Sequence, residues 1–557
     1  MKKIWFLLML MLPVTLIRAQ EENNFEISKN IEIYSNVLRQ LNLNYAENIK
    51  PGQLTQTAID AMLQSLDPYT VYIPESRLED YELMTKGEYG GIGALIQKQG
   101  DYVVITEPYE GFPAQKSGLK AGDKILAIDG EDAKGKSSSD VSKHLKGVPG
   151  SVVKLTIKHY GDTVSEQIDI TREKIKIPNV PYYGLLDDNT GYIILTQFNP
   201  NAAMDVKKAF IELKNKNHIK SLVLDLRNNG GGLLNEAVDI VNLFVPKGQL
   251  VVRTKGKLAR NTTEHYTLNT PVDTEIPLAV LVNENTASAS EIVSGSLQDL
   301  DRAVIIGHRT FGKGLVQNVI PLPYNSKIKI TIAKYYIPSG RCIQAIDYFN
   351  KDQNGDPNHI PDSLISAFKT KGGRTVYDGK GIKPDIITGK NKYSQVTADL
   401  YAKNYIFNFA NKYVLKHKSI APPDRFFIDD STFEAFKQYV TGRDFNYNTE
   451  TGAYIKKLAE SSKREKYYSA LRPLIDSLQN ILTLEKKKDI DKYKDEIREM
   501  LTMEIVTRYY YQKGRIIASL DKDPVIGEAK SVLHNPKRYR AILDGTYKPE
   551  EKAEVKQ

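Results

Sequence analysis

The sequence predicts a multidomain α/β protein: a layered α/β core, a small β-rich module inserted ahead of it, and helical regions at both ends. Three observations carry that expectation. The chain has 557 residues, which is too long for one core and favours about three to four domains. Residues 188–340 alternate short, wholly apolar runs with helical patterns, as strands buried on both faces and their crossover helices do. Residues 85–172 are instead dense in turn signals between short strands. Hydrophobic residues at 41% and charged residues at 26% are ordinary globular usage and exclude wholesale disorder or a polytopic membrane protein. A net charge of +9 over this length is mild and does not call for nucleic acid. A single cysteine, Cys342, excludes an internal disulfide framework and any cysteine-cluster metal site.

Residues 1–19 join a basic start, Lys2 and Lys3, to an apolar run over 4–17 and a small residue, Ala19. Those are the parts of a secretory signal peptide. The run is short for a membrane span and Pro13 interrupts it. An uncleaved anchor is the alternative, and it would leave the protein membrane-associated. The expected location is the periplasm, where ATP is not normally available and enzymology is hydrolytic and unpowered.

Residues 24–82 carry helical spacing in Ile27, Ile31, Tyr34, Leu38 and Leu41, and again in Leu54, Ala58, Met62 and Leu66. Over 85–172, strands are expected at 102–106, 124–128 and 152–157, with one helix near 139–145. The core strands are expected at 192–196, 221–226, 278–283 and 303–307, with helices at 203–214, 235–244 and 288–300. Lys327 to Ile332 alternates polar and apolar residues, which predicts a strand with one wet face. From about Tyr393 the chain reads as charged helix, with Ile490, Tyr493, Ile497, Leu501 and Ile505 marking one amphipathic helix.

Chemistry is concentrated in short runs. After strand 278–283 comes Glu284-Asn285-Thr286-Ala287-Ser288-Ala289-Ser290-Glu291 and then an apolar helix. A strand turning sharply into a helix lifts one side chain to the sheet edge, and the helix N-terminus offers free N–H groups and positive potential. Ser288 is placed to attack a carbonyl, with the Ala289 N–H facing the oxyanion. The same residues also read as a capping box, Ser288-x-x-Glu291, which needs no catalysis. A base could be His308 or Lys313. An exposed lysine titrates near 10.4, and burial has to lower that by ~2–3 units before it can serve. Lys313 lies between glycines in Thr310-Phe311-Gly312-Lys313-Gly314, a setting that permits a tight, dry placement but also suits a plain surface turn. Asn228-Asn229-Gly230-Gly231-Gly232 ends strand 221–226, where open α/β sheets bind ligands; a tight turn is the alternative. Gly90-Gly91-Ile92-Gly93 opens the β module, and such a loop can offer N–H groups to a chain-terminal carboxylate while the next strand pairs with an incoming peptide.

Together these runs resemble the C-terminal processing peptidases, or tail-specific proteases, from about Asp67 to Asp385. The resemblance rests on the PDZ-like module and on Leu224-Asp225-Leu226-Arg227-Asn228-Asn229-Gly230-Gly231-Gly232. It rests also on Ala287-Ser288-Ala289-Ser290-Glu291-Ile292 and on Phe311-Gly312-Lys313-Gly314-Leu315-Val316-Gln317. Tyr335-Tyr336-Ile337-Pro338-Ser339-Gly340-Arg341 and Gly381-Ile382-Lys383-Pro384-Asp385 also look like family segments. Gly230 and Thr286 stand where the family commonly has proline and serine, and Tyr69 where it often has histidine. None of these departures touches a proton-transfer group.

The resemblance implies a ClpP/crotonase-like layered α/β protease core. The expected domains are a signal peptide at 1–19, an N-terminal helical region at 20–84 and a PDZ-like domain at 85–172. A serine protease core over 173–388 and a C-terminal helical region over 389–557 complete the chain. It implies Ser288 as nucleophile, Lys313 as general base, Gln317 orienting the lysine, and Gly231 and Ala289 as oxyanion donors, with Gly230 or Gly232 as alternatives to Gly231. Gly90, Gly91, Ile92 and Gly93 would bind the peptide. No metal or cofactor is called for. The expected partners are proteins or peptides with exposed C-termini and no nucleic acid, with an envelope adaptor and a homodimer as further candidates. A non-catalytic PDZ-bearing chaperone or adaptor and a Ser–His hydrolase using His308 are the rivals.

Overall fold

The computed structural model describes residues 24–78, 81, 87–352, 355–389, 393–443 and 445–547. The signal peptide expected at 1–19 and the last ten residues of the helical region expected over 389–557 lie outside the described residues. The chain forms two compact units, one of residues up to 75 with 317–331, the other of 76–316 with 332 onward.

In the first unit, residues 24–44 are helical and Pro51–Gln64 forms a second helix with proline in its first turn, where a missing N–H costs nothing. The Asp67 carboxylate accepts from the N–H groups of Tyr69 and Thr70 at 2.8 and 2.9 Å, an Asx-type turn that ends helical structure. The chain then enters strand Val71–Ile73, antiparallel to 327–329, so the N-terminal region is not wholly helical. Apolar Val71 and Ile73 pair into a ladder instead of extending the helical pattern.

In the second unit, the β module holds a sheet in the order Ala94–Gln99, Tyr102–Pro108, Lys124–Ile128, Val152–Lys158, Glu166–Thr171. Val153, Leu155 and Ile157 are buried and alternate with wetter neighbours, as a one-faced strand requires. Helix Ser138–Leu145 is capped reciprocally by Ser137 and Asp140 and buries Val141 and Leu145. A second short helix, Pro113–Lys116, adds to the one expected. Glu88–Gly91 pairs with Glu173–Lys176, which carries the module past the expected boundary at 172.

The core sheet runs Tyr182–Asp187, Thr190–Ile194, Ser221–Asp225, Leu278–Val282, Val304–Gly307, Ile386–Ile387. The first pair is antiparallel and the remaining pairs are parallel. Every residue of Ser221–Asp225 and Leu278–Val282 is buried, because both faces are covered. Leu222, Leu224, Val280 and Val282 pack with helices Ala202–Asn217, Leu234–Asn242 and Ala289–Asp299. Val223, Ala279, Leu281 and Ile306 pack with Val525, Ile526, Ala529 and Ile542 of helices Pro524–Leu533 and Pro536–Leu543. The last two helices of the C-terminal helical region therefore also form a layer of the core.

Helices Gln395–Ala402, Tyr405–Lys416, Asp430–Thr441 and Lys494–Leu520 enclose a core of their own through Leu400, Phe409, Phe433, Phe436, Ile497 and Leu501. The single amphipathic helix expected across 490–505 is two: Tyr468–Lys492 stops at Tyr493 and Lys494–Leu520 begins after it. Strand Ser326–Tyr336 also departs from expectation. All of Lys327 to Ile332 are intermediate in exposure, so the alternation in sequence produces no wet face.

Candidate active site

The turn that carries Ser288 follows from strand Leu278–Val282 ending against helix Ala289–Asp299. Ser288 sits between them at φ 57, ψ −116, a backbone state that costs a non-glycine residue of order 1–3 kcal/mol and clusters at functional turns. Its surroundings hold it there. The Ala287 N–H and the Ser290 hydroxyl donate to the Asn229 carbonyl at 3.0 and 2.9 Å. The Thr286 hydroxyl donates to the Leu226 carbonyl at 3.0 Å. Ser288 is half-buried, while Ala287 and Ala289 beside it are buried. The carboxylate half of the expected capping box is present, with the Ser288 N–H donating to Glu291 Oε2 at 2.9 Å.

Glu291 does more than cap. It is fully buried, and its Oε2 also accepts the Lys313 N–H at 2.9 Å, while Oε1 accepts the Gly312 N–H at 2.8 Å and the Thr310 hydroxyl at 2.5 Å. Burial pushes its carboxyl up to about 7, and these four donors act against that rise. The loop bearing Lys313 lies in neither helix nor strand, so its backbone depends on such partners. The Gly314 N–H donates to Gln344 Oε1 at 2.7 Å and the Ala345 N–H to the Gly312 carbonyl at 2.9 Å. Gly312 has φ +85, and a Cβ there would lie 2.4 Å from that of Ala345, so only glycine fits. From strand Ser326–Tyr336, the buried Tyr335 hydroxyl donates to the Lys313 carbonyl, and the Ser288 carbonyl lies 3.2 Å from the same oxygen.

The glycine-rich loop lies against Ser288. A Cβ on Gly231 would fall 2.8 Å from Ser288 Cβ and 2.9 Å from the Ala289 nitrogen, and its φ is +98. The Asn229 side chain, buried completely, donates to the Leu195 carbonyl at 2.8 Å and accepts the Gly231 N–H at 2.9 Å. That N–H, expected as an oxyanion donor, must share or leave the Asn229 bond to act as one. His308 is engaged elsewhere: Nε2 is 3.1 Å from the Thr388 carbonyl and Nδ1 is 3.7 Å from Glu284.

Ser288, Ala289, Gly231 and Lys313 thus share one compact unit. Gln317 belongs to the other, where its Nε2 donates to Thr331 Oγ1 at 3.2 Å. Gly90 and Gly91 belong to the strand paired with 173–176, and a Cβ on Gly90 would come within 2.0 Å of the Gly147 carbonyl. Ile92 and Gly93 form the turn after it, their carbonyls accepting from Ala114 and Tyr109. The following strand, Ala94–Gln99, is the edge of its sheet, the geometry that strand addition by a peptide requires. Glu291, Asn229 and Tyr335 are the residues whose part in the site sequence reasoning missed. The available signal was a glutamate in the first turn of an otherwise apolar, buried helix.

The chain matches three family models in succession: "PDZ domain" over residues 82–158, "Peptidase family S41" over 189–352, and "Probable PDZ-protease, C-terminal helical domain" over 396–533. It is 35% identical over 329 residues to a carboxy-terminal-processing protease of Bartonella bacilliformis, covering 58% of this chain and 74% of that one. It is 33% identical over 379 residues to a probable CtpA-like serine protease of Staphylococcus haemolyticus, covering 67% and 68%. Among solved structures, it is 31% identical to a photosystem II D1 C-terminal processing protease, with a TM-score of 0.36 and coverage of 63% and 86%. With a PDZ domain, a layered α/β core and the Bartonella and Staphylococcus relatives, the chain belongs to the carboxy-terminal-processing proteases, serine-type peptidases of family S41.

Proposed function

We propose that this protein is an exported endopeptidase of the periplasm that uses a Ser288–Lys313 dyad and selects substrates by their free C-termini. The observation that carries the reading is the shared acceptor Glu291 Oε2, which ties the backbones of Ser288 and Lys313 to one buried atom. In the proposed reaction neutral Lys313 takes the Ser288 proton as Oγ attacks the peptide carbonyl. The oxyanion is received by the Ala289 N–H and an N–H of the glycine loop. The proton passes from Lys313 to the leaving amine, and water, deprotonated by Lys313, then hydrolyses the acyl-enzyme. The turn at Ile92 and Gly93 receives the substrate carboxylate, and strand Ala94–Gln99 pairs with its last residues. Residues 24–44 expose Ile27, Ile31 and Tyr34, which supports self-association through that helix; a monomeric mass in solution would overturn this part.

The test is cleavage of a denatured protein carrying a free or amidated C-terminus by wild type, Lys313→Ala and His308→Ala. The expected result is an inactive Lys313→Ala, an active His308→Ala and slower wild-type cleavage of the amidated substrate. An active Lys313→Ala would overturn the dyad, and indifference to amidation would overturn C-terminal selection.

A further inference from the structure

We propose that Tyr335 is a positioning residue for the Ser–Lys dyad, setting the place of Lys313 through its main chain. The inference rests on Lys313 being the base. The peptide unit that carries a general base has to be fixed to within a fraction of an ångström, since proton transfer requires hydrogen-bond reach to the nucleophile. Regular structure normally does this, but the loop of Lys313 has none. Side chains take that part from both ends of the residue. The Lys313 N–H is held by Glu291, which comes from the nucleophile's own helix, and the Lys313 carbonyl receives the Tyr335 hydroxyl.

Tyr335 is suited to the task by its own anchorage. It is 1% exposed, and strand Ser326–Tyr336 pairs residues 333–336 with 253–256, Tyr335 opposite Thr254. Its N–H donates to the Gly314 carbonyl at 3.0 Å, so its backbone and its hydroxyl grip consecutive residues of the base loop. The phenol oxygen is also 3.2 Å from the Ser288 carbonyl. One hydroxyl therefore stands between the carbonyls of nucleophile and base, while one carboxylate oxygen of Glu291 joins their N–H groups. The two side chains hold the same pair of residues, Glu291 by their N–H groups and Tyr335 at their carbonyls. Removing the Tyr335 hydroxyl leaves the ring in place and releases only the carbonyl side of this arrangement. The substrate groove of the PDZ domain is formed by other residues, so binding of the substrate C-terminus does not depend on Tyr335.

The test compares wild type, Lys313→Ala, Tyr335→Phe, and a chain with 4-aminophenylalanine at 335, whose N–H replaces the lost donor. The Tyr335→Phe protein is expected to show kcat lowered about tenfold or more, the scale of one net hydrogen bond, with KM within about twofold, the split expected when only the reacting geometry is disturbed. Its Ser288 is expected to react proportionally more slowly with a fluorophosphonate, and 4-aminophenylalanine is expected to restore most of kcat. A wild-type kcat in Tyr335→Phe overturns the proposal. So does a loss that 4-aminophenylalanine leaves unrepaired, because that would be a packing effect. Should Tyr335→Phe fail to fold, 4-fluorophenylalanine fills the volume of the hydroxyl without a proton to donate, and the same outcomes decide. An active Lys313→Ala identifies failure of the dyad itself, separately from failure of Tyr335 to position it.

Discussion

The N–H of Ser288 and the N–H of Lys313 end on the same atom, Glu291 Oε2, each at 2.9 Å. The acceptor is buried, so each bond is electrostatically stronger than it would be in water and loss of either leaves an expensive orphan. Ser288 and Lys313 come from two loops that follow adjacent parallel strands, Leu278–Val282 and Val304–Gly307. Parallel strands bring their C-terminal ends to one edge, and Glu291 converts that rough proximity into fixed geometry.

The protonation of Glu291 should therefore be visible in both stability and rate. Its ordinary value is 4.5, and burial pushes it up to about 7 in the fold. The stability associated with this raised value is present in full below pH 4.5 and is lost as pH rises through about 7. The four donors favour the ionised form against burial, and the expectation is that catalysis uses that form. A protonation step near pH 7 should appear in the acid limb of kcat/KM. Glu291→Gln should run about tenfold slower at pH 8 and lose that step, while any limb belonging to Lys313 stays. Its denaturation midpoint should fall less than that of wild type between pH 4.5 and 7. A wild-type pH–rate profile in Glu291→Gln would refute this assignment.

Neighbouring glycines of the loop should differ sharply. An added Cβ at Gly230 meets nothing within 4 Å, whereas at Gly231 it would strike the Ala287 carbonyl and Ser288 Cβ at 2.8 Å, with φ at +98. Gly230→Ala should keep near wild-type kcat. Gly231→Ala should lose ~10²–10³ in kcat, comparable with loss of an oxyanion donor. Steady-state cleavage of a fluorogenic peptide measures both, and equal effects at the two positions would show that close approach at Gly231 is not what the site needs.

The portions legible in sequence are those where one short run dictates one local geometry. Strand, sharp turn and apolar helix place Ser288 without knowledge of the rest of the fold, and Gly312 and Gly314 mark the tight loop around Lys313. Glu291 was legible only as a cap, because its second partner lies in a loop whose approach is set by strand order. The alternation of Lys327 to Ile332 misled for a related reason: a pattern predicts one wet face, but tertiary packing leaves every residue from 327 to 332 partly covered. Helices Pro524–Leu533 and Pro536–Leu543 read only as part of a charged helical tail, and nothing local says that their apolar side covers Val223 and Leu281.

The contact of the β module with helix Tyr405–Lys416 gives a last prediction. Positions 408, 411 and 415 share one face of that helix. The Tyr160 hydroxyl donates to the Asn408 carbonyl at 3.0 Å, and Cβ atoms built on Gly122 and Gly161 would lie 2.4 Å from Asn411 Nδ2 and 2.9 Å from Leu415 Cδ1. Arg515 adds an ion pair to the buried Glu107 at 3.1 Å. Gly118 and Gly122 both have left-handed backbones, φ +84 and +97, but a Cβ at Gly118 meets nothing. Alanine at either position should cost the module of order 1–2 kcal/mol in backbone strain. Only Gly122→Ala should add an overpacking cost, about 1–3 kcal/mol, by pushing against Asn411. Hydrogen exchange across residues 405–416 reads the difference: faster in Gly122→Ala and unchanged in Gly118→Ala. Equal exchange in both variants would mean that this helix does not hold the β module, because backbone strain alone acts on both glycines and leaves the helix untouched.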